Sequence, residues 1–514
     1  MRKNLFYSTV LLTLANLLMR AISMAFQVYL SGQVGAAGIG LLQLILTVSA
    51  LAVTIGTAGV RVSLMYLCAE ELGHRRPGGV RSAMGVCLLY TLAFSTLCAF
   101  AMMGLADRLA EGWIGDVRSA PALRLAALLL PLTCLNAVMT GYFTAASKIG
   151  RMVIVDIFER VLSIFLTVWL LKTWAKGDLT RACCAMVGGN ALSTAVGFFL
   201  LYGLYRLDRR SMHPVKEKLH MPSRLFKLCI PLAVNEYLRA GLGTLEQMLI
   251  PKGLAKAAGS TMESMAAYGT IHGMVFPILF FPTCLLYSLS DLLVPELAKC
   301  LAAKRQKRIV HLTDKCLRLC FFYACAIAGG LYCLAPQLGQ LLFGTDEVGI
   351  YLRMFAPQVL VLYLDAIVDG MNKGLGQQVI CVRYNTFTSI LDVVLLFFLL
   401  PVWGIGGYYF SFTVTHLINL FLSIRRLIKV SGYRPSLGFA CKSLFLTGLC
   451  CVLTSLITPA LPQEALTGLL AVLLAFVLLF WTFTNLLHPL SKEDFQWLKS
   501  IILPKGQKKS VPIQ

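Results

Sequence analysis

The stretch TLANLLMRAISMAFQVYL, residues 13–30, is apolar enough to cross a membrane, yet it carries Arg20 near its middle. Arginine stays charged at any physiological pH. A charge at the bilayer centre costs about 2.5–3.5 kcal/mol on insertion scales. Similar apolar runs recur to the end of the 514-residue chain, which is 58% hydrophobic and 14% charged. Since soluble proteins carry about a quarter charged residues, the sequence predicts an all-α integral membrane protein.

The N-terminal segment MRKNLFYSTVLLTLANLLMR also has the outline of a secretory signal peptide, because Arg2 and Lys3 precede an apolar run. The run is long, however, Arg20 interrupts it, and a second apolar span follows at once. We interpret the segment as a retained first helix. A cleaved signal is the alternative.

Apolar runs of about 20 residues predict fourteen transmembrane helices. They are placed near residues 5–30, 37–65, 82–104, 121–146, 152–172, 181–205, 225–250, 266–294, 312–334, 350–371, 379–400, 404–424, 437–458 and 465–487.

The net charge of +22 resides mainly in the segments between these runs, which indicates membrane topology and not nucleic-acid binding. About 33 of the 46 Lys and Arg residues fall on one side of the predicted membrane and about nine on the other. This bias predicts that both termini are cytoplasmic. The sequence has no Asn-x-Ser/Thr glycosylation site, which fits the expected bacterial cytoplasmic membrane. The 17 cysteines mostly lie inside the apolar runs without a CxxC motif, so they are interpreted as core residues and not as a metal site.

An internal repeat is predicted from two alignments. Residues 139–171 can be placed on 368–400 without gaps, so that Gly141 meets Gly370, and residues 18–27 fall on 237–246, so that Arg20 meets Arg239. The repeat predicts two six-helix lobes of equal orientation with the substrate path between them. Chance similarity between apolar helices is the alternative. The predicted domains are an N-lobe of helices 1–6 (1–218), a C-lobe of helices 7–12 (219–430) and helices 13–14 with a basic cytoplasmic tail (431–514).

Polar residues recur every three or four positions in several predicted helices, and therefore share one helical face. Such faces favour a shared water-filled cavity, with internal salt bridges such as Glu236–Arg239 as the alternative. The candidate substrate-binding residues are Asn16, Arg20, Gln27, Arg61, Glu159, Arg239 and Glu246. The candidate coupling-ion ligands are Glu159, Glu246, Asp369 and Asp392. Asp156 and Asp365 lie near predicted helix ends and are expected to reach solvent.

Arg20 and Arg239 each lie 14 or 15 residues into their predicted helices, roughly 22 Å from the cytoplasmic end at 1.5 Å per residue. Two guanidinium groups at one depth are explained by an anion between them, and their planar forks fit phosphate. A phosphate or pyrophosphate substrate is therefore predicted. Proline-containing stretches such as MVFPILFFPTC and PVWGIGGYYF are interpreted as hinges or as packing kinks. There is no Walker loop, HExxH or GxSxG motif, so no enzymatic activity is predicted.

The stretches LCIPLAVNEYLRAGLGTLEQMLIPKGL and YGTIHGMVFPILFFPTCLLYSLSDLLVPELAKC resemble helices 7 and 8 of the SpoVB-like polysaccharide flippases. These proteins belong to the multidrug/oligosaccharidyl-lipid/polysaccharide exporter (MOP) superfamily, which also contains the MATE exporters and the lipid II flippases. The residues that carry the resemblance are Pro231, Glu246, Pro251, Tyr268, Gly269, Gly273, Pro277, Pro282, Leu289 and Pro295.

The resemblance implies a MATE-like flippase for undecaprenyl-diphosphate-linked oligosaccharides or peptidoglycan precursors, in contact with membrane lipids and active as a monomer. It matches Arg20 to a basic position of helix 1 and Glu159 to an acidic position of helix 5. Phe26 and Gln27 stand where a second basic residue is common, and Glu246 replaces an aspartate. No cofactor is implied; coupling to the membrane potential, Na⁺ or H⁺ is left open. The alternatives are a cation-coupled multidrug exporter of the same superfamily and, more remotely, a membrane enzyme of sugar-polymer ligation.

Overall fold

The computed structural model describes residues 2–57, 59–74, 77–175, 177–210, 221–462 and 465–488. Within these ranges the regular structure is helical throughout. In chain order the helices are α1 (Arg2–Thr57), α2 (Val60–Gly73), α3 (Pro77–Arg108), α4 (Ala120–Ala145), α5 (Ile149–Leu170), α6 (Leu179–Arg209), α7 (Met221–Ala258), α8 (Thr261–Tyr268), α9 (Phe276–Phe280), α10 (Thr283–Ala302), α11 (Gln306–Phe343), α12 (Asp346–Phe355), α13 (Gln358–Gly374), α14 (Gln378–Trp403), α15 (Ile405–Ser431), α16 (Leu437–Ile457) and α17 (Ala465–Leu487).

The predicted all-α membrane architecture is confirmed. Eight helices of the described part are long and apolar enough to cross a membrane, or ten if each of two bent helix pairs counts as one span. A helix satisfies all its backbone hydrogen bonds internally, as the bilayer core requires. The count of fourteen stays a prediction.

The helices form two compact units. Unit 1 comprises Met1–Met24, Met274–Asp392 and Tyr409–Gln514, and unit 2 comprises Ala25–Gly273 and Val393–Tyr408. In unit 2, α4 packs against α3 and α6, and α5 packs against α6. In unit 1, α11 packs against α12, α13, α16 and α17. Most of the cysteines are buried thiols, which confirms their interpretation as core residues.

Two glycines interrupt the helical backbone in the N-terminal part of the chain. Gly35 lies between the predicted helices 5–30 and 37–65, and Gly59 lies inside the second of them. Gly35 has a φ of 69° inside α1, and Gly59 has a φ of 72° between α1 and α2. These are left-handed values that glycine adopts without steric cost. The predicted second helix is therefore wrong in extent: it ends at Thr57, and Arg61 lies in the first turn of α2.

Prolines mark two further breaks. Pro282 follows the end of α9 and precedes α10, whereas Pro357 separates α12 from α13, which meet at 54°. A π-helical turn at Gly269–Val275 joins α8 to α9. Proline removes one backbone donor and clashes with the preceding turn, which explains both breaks.

Two turns that the repeat alignment superimposes share one geometry. Between α4 and α5, Lys148 donates its N–H to the carbonyl oxygen five residues earlier at 2.9 Å, and Ser147 has a φ of 55°. Between α13 and α14, Gln377 makes the same bond at 2.9 Å, and Gly376 has a φ of 75°. Both turns are Schellman motifs, in which a left-handed residue ends the helix.

Close contacts at two glycines, Gly141 and Gly370, are also related by the interval of the repeat alignment. A Cβ atom on Gly141 would lie 2.9 Å from the carbonyl oxygen of Arg61, and one on Gly370 would meet the side chain of Ser290. Ser290 follows Arg61 in the sequence by the same interval by which Gly370 follows Gly141. The contacts thus repeat with the shift that the sequence alignment proposed. The division into two six-helix lobes stays a prediction.

Within unit 2, the part of α1 that follows Gly35 crosses the end of α8, and the closest approach is at Gly40 and Gly269. A Cβ on Gly40 would overlap the carbonyl oxygen of Met265, and one on Gly269 would overlap that of Ala36. Only residues without a side chain permit so close a backbone approach. The repeat interval relates Gly40 to Gly269 and Ala36 to Met265, so the two contacts join equivalent pairs of positions.

Candidate substrate-binding site

Arg20 binds the break between α9 and α10, within unit 1. Its Nη1 donates to the carbonyl oxygen of Phe280 at 3.1 Å and to Oγ1 of Thr283 at 3.3 Å. Its Cζ lies 5.5 Å from the ring centroid of Tyr287, within range of a cation–π interaction. The carbonyl group lies where Pro282 interrupts the helical ladder. Arg20, which was predicted to bind an anion, therefore also binds the backbone at a helix break.

Unit 2 contains a cluster of charged residues that we call the charge cluster: Arg61, Asp156, Glu159, Glu236 and Arg239. Arg61 acts electrostatically on both Asp156 and Glu236; Arg239 acts on Glu236, and Glu159 on Asp156. The side chains of Arg61 and Arg239 are exposed. Neither makes a hydrogen bond or an ion pair with another residue of the described part. The structure thus brings together three of the predicted site residues.

The internal salt bridge considered as an alternative, Glu236–Arg239, is not formed among the described residues. The two side chains share one face of α7 and interact electrostatically, but no ion-pair contact joins them. Arg239 therefore keeps its hydrogen-bond donors available to a ligand.

The carboxylate of Glu159, on α5, accepts hydrogen bonds from side chains of α4 and α6. Its Oε1 accepts from Oγ1 of Thr194 at 2.6 Å, and its Oε2 accepts from Nδ2 of Asn136 at 3.3 Å. Gly197 leaves room for the carboxylate, since a Cβ there would overlap Oε2. Asn136 and Thr194 were not predicted from the sequence, because other neutral polar residues, such as Thr133 in α4 and Asn190 in α6, occur in the same helices without this contact.

Two more predicted residues lie elsewhere in unit 2. The Nε2 of Gln27 is buried near Gly273 and has no hydrogen-bond partner among the described residues. Glu246 acts electrostatically on Tyr268, whose hydroxyl donates to Gln247. The side chain of Asn16 lies outside the described residues.

The predicted coupling-ion ligands of unit 1 have different surroundings. Asp392 is 5% exposed, and its Oδ1 accepts from Oγ of Ser411 at 2.7 Å and from Oγ1 of Thr415 at 3.2 Å. Asp369 pairs with Nζ of Lys373 at 2.6 Å. The buried Asp392 and its two hydroxyl partners thus gather oxygen atoms, the type of ligand that hard cations prefer, whereas Asp369 is already compensated.

Asp365, which was expected to reach solvent, is half-buried. Its Oδ2 accepts from Nδ2 of Asn419 at 3.0 Å, and its Oδ1 is buried. The break at Pro357 starts α13 late, which places Asp365 in the middle of that helix and not at its end. His272 is hydrogen-bonded to the hydroxyl of Tyr408, and His416 to the carbonyl oxygen of Phe412.

A cavity in unit 1 has no charged residue in its lining. It encloses about 600 Å³ between α11, the α12–α13 break and α16, and its walls include Tyr332, Leu360 and Val452. An anionic group has no cationic partner there.

Residues 5–255 match the model of a family described as "Polysaccharide biosynthesis protein". Among curated proteins of Bacillus subtilis (strain 168), Stage V sporulation protein B is 21% identical over 374 residues, which cover 71% of this chain and 72% of that protein. Sporulation protein YkvU is 21% identical over 371 residues, 70% of this chain and 81% of its own length.

The fold is similar to that of the lipid II flippase MurJ in an inward closed conformation. The TM-score is 0.66 at 12% identity, over 93% of this chain and 98% of that chain. An inward-facing multidrug resistance MATE family transporter of the MOP superfamily matches with a TM-score of 0.59 at 13% identity, over 80% and 95% of the two chains. The resemblance to the MOP superfamily is confirmed.

The chain is accordingly a multi-pass membrane protein with a MurJ-like and MATE-like fold. The solved structures that it matches are described as a flippase and as transporters, and not as enzymes. These likenesses are remote in sequence, so they identify the fold, and the substrate has to be argued from the residues.

Proposed function

We propose that this protein flips an undecaprenyl-diphosphate-linked oligosaccharide or peptidoglycan precursor from the inner to the outer leaflet of the bacterial cytoplasmic membrane, by alternating access. The similarity to a lipid II flippase, to two sporulation proteins and to a polysaccharide biosynthesis family supports this substrate class. The protein acts as a monomer with both termini in the cytoplasm. Its predicted lobes, 1–218 and 219–430, would move about the substrate path.

The charge cluster is the observation that carries the proposal. Arg61 and Arg239 are exposed on helices of a membrane protein, without a hydrogen-bond partner among the described residues. Exposure to lipid would cost several kcal/mol for each arginine, so we infer that both face a water-filled cavity. Their guanidinium groups present planar forks of donors that suit phosphate oxygens. A lipid diphosphate is an anion of the right kind to bind there.

Other predicted residues suit the sugar. Gln27 has a buried amide donor without a described partner. Glu159, fixed by Asn136 and Thr194, offers a carboxylate that accepts hydrogen bonds from hydroxyl groups. Arg20 stays a proposed diphosphate ligand in addition to its contact with Phe280, because a guanidinium has five donors and its bonds to Phe280 and Thr283 use one nitrogen.

The test is a flipping assay in proteoliposomes with a fluorescent undecaprenyl-diphosphate-linked sugar. We expect Arg61→Gln/Arg239→Gln to reduce flipping at least tenfold while the protein inserts normally. Arg124→Gln is the matched control, since Arg124 is also exposed but pairs with Asp107 at 2.7 Å. Exposed pairs contribute about 0–1 kcal/mol, so this variant should flip normally. Wild-type flipping by the double variant would refute the diphosphate role.

A cation-coupled multidrug exporter is the second candidate, favoured by the carboxylates of Glu159, Glu246 and Asp392 and by the fold shared with a MATE transporter. Efflux of a cationic dye from the same proteoliposomes separates the two functions. Dye transport without lipid flipping would support the exporter. The exposed arginines argue against it, because they repel a cationic substrate.

A further inference from the structure

A polar cavity lies in unit 2, lined by none of the residues of the charge cluster. It encloses about 300 Å³ between the start of α3 and the end of α6. Both ends adjoin basic segments of the sequence, HRRPGG before α3 and RRSMHPVKEK after α6. The lining residues are Gly78, Arg81, Ser82, Gly85, Leu88, Tyr202, Tyr205 and Arg209. We call it the basic cavity.

The two arginines of the basic cavity have no acidic partner among the described residues. Neighbouring cations do: Arg224 binds Glu71 at 2.8 Å, while Lys148 and Arg151 bind Asp208 at 2.8 and 3.1 Å. Arg81 and Arg209 instead act together on the buried Tyr205. Two cations that share a cavity without a carboxylate repel each other and favour an anion between them.

The cavity also offers neutral hydrogen-bond donors. α3 begins at Pro77, so the N–H groups of its first turn have no partner within the helix. Gly78 in that turn and Ser82, one turn later, line the cavity. First-turn amides and the helix dipole favour phosphate groups. A Cβ on Gly85 would meet no atom within 4 Å, so the cavity remains open at this position.

Apolar side chains follow one turn farther along both helices. Leu92, on the same face of α3 as Leu88, is 45% exposed, and Phe199, on the same face of α6 as Tyr202, is 61% exposed. A ligand with a phosphate at the basic end and hydrocarbon beyond it matches this order of surfaces. A soluble phosphate would use only the first part.

We propose that the basic cavity binds the head group of an anionic phospholipid, with the phosphate between Arg81 and Arg209 and the acyl chains along Leu92 and Phe199. Basic cavities between helices at the cytoplasmic side of membrane proteins are suited to such head groups. The site is independent of the proposed transport function, since it requires no flipped substrate.

The test measures lipid binding to the purified full-length protein by native mass spectrometry and by thermal shift. The probes are phosphatidylglycerol, phosphatidylcholine and inorganic phosphate. We expect phosphatidylglycerol to bind and stabilise the protein selectively. Arg81→Gln/Arg209→Gln should weaken this binding roughly 30-fold, at about 1 kcal/mol for each basic residue. Arg210→Gln, one residue farther on and outside the cavity, should leave it unchanged.

A second variant separates binding from folding. Gly85→Phe keeps every charge and places a ring in open space, so it should block phosphatidylglycerol without lowering the melting temperature in phosphatidylcholine. Unchanged phosphatidylglycerol affinity in both variants would overturn the proposal. Equal stabilisation by inorganic phosphate at the same concentration would also overturn it, because the ligand would then be a soluble anion. Selective loss of phosphatidylglycerol binding in both variants would support it.

Discussion

For Arg20, a functional role could be predicted from the sequence, but its contacts could not. Its position in an apolar run predicts a buried function, because an uncompensated arginine is costly there. Its contacts with Phe280 and Thr283 join segments that are far apart along the chain and have no signal in the local sequence. The predicted residues of unit 2 were easier to find, since charge alone distinguishes them from their apolar neighbours. Their amide and hydroxyl partners were not.

Arg20→Ala should abolish flipping while the protein still inserts at normal levels. The change also removes a charged hydrogen bond to Phe280, so unfolding should become easier by about 1–3 kcal/mol. Arg353 is a matched control, because its Nε donates to the carbonyl oxygen of Tyr332 at 3.3 Å and its Cζ lies 5.5 Å from that ring. Arg353→Ala should cost similar stability and leave transport intact. Normal flipping by Arg20→Ala would contradict its role.

Asp392→Asn should uncouple transport from its ion gradient. The amide keeps the size of the carboxylate but removes the charge that a cation needs, while Ser411 and Thr415 stay in place. We expect the stimulation of flipping by a Na⁺ or H⁺ gradient to disappear and gradient-independent flipping to remain. Asp346→Asn, at the start of α12, is the control. Full gradient stimulation in Asp392→Asn would exclude this carboxylate as the coupling site.

At the scale of the elements, sequence periodicity placed most helices correctly but not their interruptions. Prolines do not identify the breaks by themselves: Pro231 and Pro251 lie inside the continuous α7, whereas Pro282 and Pro357 separate helices. The difference depends on neighbours that satisfy the freed backbone groups, such as Arg20 at Phe280. The break at Gly59 has a local signal, a glycine between two apolar segments, which the helix prediction passed over.

The paired turns after α4 and α13 give a prediction for one element. Ser147 and Gly376 occupy the same left-handed position, which costs a residue with a Cβ roughly 1 kcal/mol. Ser147→Gly should therefore raise the melting temperature, and Gly376→Ser should lower it by a similar amount. Thermal unfolding in detergent measures both. A stabilised Gly376→Ser would show that the turns are not equivalent.

For the whole molecule, hydropathy predicted the class of all-α membrane protein, because lipid exposure requires long apolar helices. The MATE-like fold was predicted from the family resemblance. Which segments of the chain form each of the two compact units could not be predicted from hydropathy. Unit 2 ends at Gly273, inside a π-helical turn within one predicted helix, and resumes at Val393–Tyr408. Such exchanges depend on packing between distant segments, which periodicity does not encode.

The proposed topology predicts which loops a membrane-impermeant maleimide reaches from outside the cell. In a Cys441→Ser background, which removes the exposed native thiol, cysteines at Ser260 and Asp346 should react. Cysteines at Lys304 and Gln377, in the loops of the basic side, should react only after the membrane is permeabilised. The reverse pattern would invert the orientation, and labelling of all four from outside would contradict the span count.

The crossing of Gly40 and Gly269 has a thermodynamic consequence. Gly40 contacts the backbone at Met265, and Gly269 contacts the backbone at Ala36. The two contacts are equivalent under the repeat, like the paired contacts at the two-fold axis of an isologous dimer. A methyl group at either position forces the same two backbones apart. A second methyl then enters space that the first has already opened. Gly40→Ala and Gly269→Ala should therefore be non-additive in a double-mutant cycle, so that two positions far apart in the sequence behave as one energetic site.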